Sequence, residues 1–219
     1  MNQILHYFHI IRPLNVLLSG ITVLIAAYIL NQNNYKLIWI TSIVVMLCCS
    51  FANVLNDLFD YDTDKINNPK KYFAHLLLNN FIILIILSIT LIGSLTLAHL
   101  YFPRYAIYYL YLICILMIIY TPYLKGIPLL GNLIISFIVA SVFIITELIL
   151  LNTFSDLLFY PVLLTFLLTL IREIIKDIDD LKGDCNAGIN TFPAVFGIHY
   201  TKYLLLILSI LLIITSIYP

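Results

Sequence analysis

The sequence predicts an all-α protein, a polytopic bundle of transmembrane helices, and three observations carry that prediction. Of its 219 residues, 63% are apolar and only 10% charged, against roughly 45–50% and about 25% in a soluble domain. Apolar stretches approaching the ~20 residues that cross a bilayer recur along the chain with short polar breaks. The 11 basic and 11 acidic residues avoid those stretches, Glu147 alone excepted. One soluble core could not hide this much apolar surface. Lipid is its solvent. The balance of charge leaves no basic excess, which excludes nucleic acid as a partner.

Seven spans are expected. Leu14–Leu30 comes first; no basic segment precedes it and further spans follow, which separates it from a signal sequence. Leu37–Leu55 and Phe81–Leu100 are next, on either side of a charged segment. Tyr105–Tyr120 is short, as is Leu157–Ile171, so their helices should run a turn or more beyond the apolar window. Pro128–Leu151 lies between these two, and Tyr203–Ile217 ends the series. The aromatic residues near Tyr101–Tyr111 fit an interfacial belt. Cys48, Cys49 and Cys114 lie inside apolar runs and Cys185 stands alone, without zinc or disulfide spacing.

The charges fix the topology. Nine of the 11 acids fall in two segments: Asp57, Asp60, Asp62 and Asp64, then Glu173, Asp177, Asp179, Asp180 and Asp184. Four spans separate the segments, an even number, so both emerge on one membrane face. Arg12, Lys65, Lys70, Lys71, Lys125, Arg172, Lys176, Lys182 and Lys202 map to that face, and Lys36 and Arg104 to the other. That bias makes the acidic face cytoplasmic in an integral protein of the cell's inner membrane.

The acidic segments share a spacing. If the second span continues as a helix, Asn56, Asp60 and Asp64 stack at successive turns, with Asp57 on their edge. Asp177, Asp180 and Asp184 repeat the three-then-four interval of Asp57, Asp60 and Asp64, and Glu173 lies one turn earlier. Two carboxylates 5–6 Å apart repel by about 3 kcal/mol at an effective dielectric near 20. Such ladders call for a cation. Carboxylate oxygens suit Mg²⁺, which is usually held by a few carboxylates plus substrate phosphates. Facing ladders with Mg²⁺ between them make a clamp for a diphosphate, and Lys65, Lys125, Arg172 and Lys176 can neutralise its remaining charge. Glu147 is a functional candidate by its place in a span, or a side chain reaching the interface. His6, His9, His75, His99 and His199 show no ligand spacing. Gly131 suits close helix packing, and Asn132 either packs with it or faces a polar cavity.

These residues carry a resemblance. The run NDLFDYDTDKINNP resembles the first aspartate-rich motif of the UbiA superfamily of intramembrane prenyltransferases. REIIKDIDDLKGDCNAGINTFP resembles the second, closing in a Gly-x-x-Thr-x-Pro turn. Tyr120-Thr-Pro-Tyr123-Leu-Lys125 with Gly131-Asn132 resembles the segment joining the family's fourth and fifth helices, and Arg12-Pro13-Leu-Asn15 its start. The likeness covers essentially the whole chain. It implies one domain, 1–219, with helices around a central cavity roofed by the two motif segments. By resemblance Asn56, Asp57, Asp60, Asp64, Asp177, Asp180 and Asp184 bind Mg²⁺, with Asp60, Asp64, Asp180 and Asp184 central to catalysis. Asn56, Tyr120, Lys125, Asn132, Arg172, Lys176 and Arg12 then bind the diphosphate.

The implied reaction moves a prenyl group from an allylic diphosphate to a lipophilic acceptor within the bilayer. The run from Arg172 to Asp184 most resembles the branch that geranylgeranylates geranylgeranylglyceryl phosphate, with Lys182 or Lys70 available to the acceptor's phosphate. An aromatic acceptor of 4-hydroxybenzoate or naphthoate type, as in quinone synthesis, is the alternative. A cation-coupled transporter is the alternative of another class, but it wants acids near the midplane. Two departures stand out. The family usually builds nine helices against seven here, which implies a domain short at its C-terminal end, either truncated or completed by a partner. Lys71-Tyr72-Phe73 also stands where the family continues with Arg-Pro, and a lysine cannot replace a bidentate fork.

Overall fold

The computed structural model describes residues 3–67, 69 and 78–217, and side chains from residue 7 onward within those ranges except 62 and 63. His6, Lys70, Lys71, Tyr72, Phe73 and His75 therefore lie outside the described side chains. Every element among the described residues is helical: α1 (Gln3–Ile11), α2 (Pro13–Ile29), α3 (Tyr35–Phe59), α4 (Tyr61–Asn67), α5 (Asn80–Tyr101), α6 (Arg104–Ile119), α7 (Leu130–Leu151), α8 (Phe159–Asp179), α9 (Leu181–Asn186) and α10 (Phe192–Ile217). A π-helical turn, Tyr120–Leu124, extends α6.

Each of the seven expected spans is a helix. Among the described residues, six helices are long and apolar enough to cross a membrane: those ending at Ile29, Phe59, Tyr101, Leu124, Leu151 and Ile217. The seventh, α8, has 21 residues, but Arg172, Glu173, Lys176, Asp177 and Asp179 crowd its C-terminal end. The two short windows do run on, α6 into its π turn and α8 by two turns past Ile171. The start of α10, eleven residues before the expected Tyr203, comes from a short helical turn joined to the main helix at Gly197, whose φ of 83° breaks the helix.

Local chemistry sets several boundaries. Asn34 and Asn79 accept hydrogen bonds from the Leu37 and Phe81 N–H groups and so cap α3 and α5. Arg12 takes a left-handed conformation, φ 55°, between α1 and the proline that opens α2. That break ends α1 and directs the chain into the bundle.

The helices form a wall around a central space. α3 lies between α2 and α5, α2 also packs on α7, and α7 and α10 flank α8; α6 lies against α3, α5 and α7. At Gly20 a Cβ would sit 2.7 Å from the Met46 sulfur, so glycine lets α2 approach α3, where the Ser42 hydroxyl donates to the Gly20 carbonyl at 3.2 Å. The outer face of α10 presents Tyr203, Leu206, Ile207, Ile210, Ile213 and Ile214, an apolar surface suited to lipid.

The two acidic segments occupy one end of the bundle, as the even span count requires. The Asn67 carboxamide of α4 donates to the Asp180 main-chain carbonyl at 3.1 Å. At the other end, Tyr105 donates to Asn152 at 2.7 Å. Glu147 is buried there and accepts from the Ser155 N–H at 3.1 Å and from the Ser155 hydroxyl. It fastens the loop between α7 and α8, far from the acidic end.

Candidate active site

A cavity of about 1050 Å³ opens between the helices beneath the acidic segments. Its α3 wall recurs at helical intervals: Val45, Cys48, Cys49, Ala52, Asn53, Asn56 and Asp57, with Asp60 just past the helix end. One face of one helix thus passes from an apolar floor to an acidic roof. Ile113 and Met117 from α6 and Ile138 and Val142 from α7 complete the apolar part.

The aspartate ladders are bent rather than straight. α3 stops at Phe59, and Asp60 is the residue at which the chain turns into α4. The Asp60 N–H still reaches the Asn56 carbonyl at 2.9 Å and the Asp64 N–H the Asp60 carbonyl at 2.8 Å. The second segment repeats this at Asp180, whose N–H bonds the Lys176 carbonyl at 2.9 Å while the Asp184 N–H bonds the Asp180 carbonyl at 3.0 Å. In each segment the middle aspartate is the hinge. Aspartate competes with helical bonding and favours helix ends, so the bend falls there while the main-chain spacing survives.

Cations and amides hold the carboxylates. Arg12 donates to buried Asp57 at 2.5 Å. Asp60 accepts from the Asn56 amide at 2.7 Å and from the Lys125 ammonium. Lys125 arrives on the loop after the π turn, and Gly131 makes room for that loop. A Cβ on Gly131 would lie 3.0 Å from both the Leu124 carbonyl oxygen and Lys125 Cα. Close packing and function meet in one glycine. On α8, Arg172 donates at 2.5 Å to Glu173, which is buried. Burial pushes the Asp184 carboxyl up to about 6; Lys125 and Lys176 pull it down, and Asp177 and Asp180 push it further up.

Of the expected residues, Arg12, Asn56, Asp57, Asp60, Asp64, Tyr120, Lys125, Arg172, Lys176, Asp180 and Asp184 line the cavity together. Asn132 and Asp177 are not among its lining residues. They face each other instead, the Asn132 amide donating to Asp177 at 2.8 Å. Lys65 and Lys182 are exposed and also lie outside the lining. Glu173 was legible as a neighbour of the second ladder, one turn before Asp177, but its burial in the cavity wall depends on how α8 turns.

Among the described residues, no three His, Cys, Asp or Glu side chains already converge on one metal position. The donor set nevertheless fits Mg²⁺, which takes one or two carboxylates and completes its oxygen shell with substrate phosphates and water. Asp57, Asp60 and Asp64 supply carboxylates from one segment and Asp180 and Asp184 from the other.

Residues 16–219 match the UbiA prenyltransferase family. The chain belongs to that family. It is 34% identical over 217 residues to digeranylgeranylglyceryl phosphate synthase of Methanosphaera stadtmanae, covering 96% of this chain and 76% of that one. The synthase of Thermococcus sibiricus is 32% identical over 216 residues, covering 97% and 76%. A solved structure from work on digeranylgeranylglyceryl phosphate synthase in membranes superposes with a TM-score of 0.75 at 26% identity, over 99% of this prenyltransferase and 77% of that chain. A UbiA homologue from Archaeoglobus fulgidus, bound to DMAPP and Mg²⁺, shares the fold with a TM-score of 0.74 at 18% identity, over 97% and 76%. The prenyltransferase described here thus spans about three quarters of the length of these relatives.

Proposed function

We propose that this prenyltransferase carries a geranylgeranyl group from its allylic diphosphate to geranylgeranylglyceryl phosphate, with Mg²⁺ and with its acidic segments on the cytoplasmic face of the inner membrane. One observation carries the reading: both aspartate segments line the polar end of a single cavity whose other end is apolar. The names of the relatives support the acceptor, and the preponderance of basic residues at the acidic end supports the orientation.

Asp57, Asp60, Asp64, Asp180 and Asp184, with Asn56, would hold the metal and through it the diphosphate. When bound, Mg²⁺ acts as a Lewis acid that stabilises charge on the departing diphosphate. Lys125 and Lys176 bring positive charge to the same oxygens, and Arg12 holds Asp57 in place. The Asn132–Asp177 pair supports this layer from behind. Ile113, Met117 and Ile138 keep water from the allylic carbon as its bond to the diphosphate breaks. The acceptor's hydroxyl oxygen bonds that carbon, and its proton leaves to a carboxylate or to the released diphosphate.

The test is competition. Purified enzyme receives geranylgeranyl diphosphate, Mg²⁺, geranylgeranylglyceryl phosphate and an aromatic acceptor together, and the expected product is the diether phosphate. An exclusively prenylated aromatic product would overturn the acceptor.

A further inference from the structure

Glu173 is a buried carboxylate in the cavity wall that the diphosphate clamp does not use. It lies seven residues before Asp180, about 10 Å along the axis of α8 at 1.5 Å per residue. A small polar group fits between it and a diphosphate held at the roof. Thr165, about two turns on the other side, faces the apolar chamber. Glu173 stands at the boundary between the two.

Its neighbour Arg172 is the outlier among the paired cations of the cavity. The Arg172 side chain is 67% exposed, against 32% for Arg12 and 17% for Lys125. Arg12 and Lys125 are engaged by Asp57 and Asp60 of the clamp, whereas Arg172 is joined only to Glu173 among the ion pairs of the described residues. A guanidinium carries five N–H donors in a planar fork, so one bond to Glu173 leaves it able to grip a phosphate bidentately. An amphipathic acceptor fits this arrangement: its phosphate meets the open guanidinium fork, and its hydroxyl meets the buried carboxylate beside it.

We propose that the Arg172–Glu173 turn is the acceptor's head-group subsite. Arg172 binds the phosphate, and Glu173 accepts a hydrogen bond from the hydroxyl that becomes prenylated. The assignment rests on the glyceryl phosphate reading above, and it moves Arg172 from the diphosphate, where the resemblance put it, to the acceptor's phosphate, in place of Lys182 or Lys70.

The experiment compares geranylgeranylglyceryl phosphate with the same alcohol lacking its phosphate, at saturating geranylgeranyl diphosphate. The wild type should prefer the phosphorylated acceptor. Arg172→Gln should raise the KM for that acceptor roughly 10- to 100-fold, the range of a lost charge-assisted contact. The KM for the diphosphate donor should stay within about twofold, and the preference between acceptors should vanish. Arg172→Lys should restore part of it. Glu173→Gln should slow turnover of both acceptors alike, because both present the hydroxyl, while donor affinity holds and shows that the variant is folded. Retained acceptor preference in Arg172→Gln, or parallel loss of donor affinity in either variant, would overturn the subsite. A wild-type enzyme that prenylates neither glyceryl acceptor would overturn the functional reading itself, which separates the two failures.

Discussion

Gly183 lies against Asn67 so closely that a Cβ on the glycine would sit 2.2 Å from the carboxamide oxygen. The same carboxamide donates to the Asp180 carbonyl at 3.1 Å. Through this contact α4 and α9 meet over the cavity and set the separation of the two aspartate segments. Gly183→Ala should therefore push Asn67 away and break its hydrogen bond, a loss of about 1 kcal/mol, and should lower kcat by moving one segment. Asn67→Ala removes the obstacle. The double variant should be no slower than Asn67→Ala alone in a steady-state assay; strictly additive losses would show that the two residues act independently.

The long-range part of this arrangement was legible in the sequence only in outline. Span parity put both acidic segments on one face, and the repeated interval pointed to two matching ladders. Nothing in the spacing said that each ladder bends at its middle aspartate, because helix continuity and a break at Asp60 give the same register of N–H bonds. The pairing of Asn132 with Asp177 was equally hidden. It depends on how far α7 and α8 rotate about their axes, which side-chain packing decides. The length of α8 was readable from its short apolar window, whereas α1 and the break at Arg12 were not, since nine residues without a long apolar run carry little signal.

The Asn132–Asp177 bond makes a prediction that separates support from substrate binding. Asn132→Leu keeps the volume but leaves the partly buried Asp177 carboxylate without its donor, a cost of about 1–3 kcal/mol. The detergent-solubilised variant should melt at lower temperature, with the KM for the allylic diphosphate nearly unchanged. A raised donor KM at unaltered stability would place Asn132 on the substrate instead.

Asp60 and Asp180 hold corresponding hinge positions, and each should be needed for turnover. Asp60→Asn and Asp180→Asn keep the shape but remove a charge from the proposed Mg²⁺ set, and metal assistance is worth several kcal/mol of transition-state stabilisation. Each should lower kcat by about 100-fold or more, with membrane insertion and elution volume unchanged. Near-normal rates at limiting Mg²⁺ would remove these residues from the clamp.

Exposed Cys185 lies at the acidic end, while Cys48 and Cys114 are buried, so the chain carries its own topology reporter. In a variant with Cys48, Cys49 and Cys114 replaced by alanine, an impermeant maleimide should label Cys185 from the cytoplasmic side. Asn152→Cys, added after Cys185→Ser, should react from the opposite side. Labelling of both from one side would refute the crossing of α8.

The cavity floor should set the length of prenyl chain that fits. Among the lining residues, Thr22, Val45, Leu110 and Ile145 lie farthest along their helices from the acidic roof. Val45 stands fifteen residues before Asp60, about 22 Å along α3. Val45→Phe places a ring where the end of a long chain would lie, and shape changes of this size discriminate substrates roughly 10- to 200-fold. The kcat/KM for geranylgeranyl diphosphate should fall by about 10-fold, at the low end of that range, while that for geranyl diphosphate stays near wild type. Val45→Ala should spare the longer donor, because it leaves the floor open. Overpacking that merely destabilised the bundle would lower both rates together, so the ratio between donors is the measurement that decides. An unchanged ratio in Val45→Phe would mean that the chain does not reach the floor.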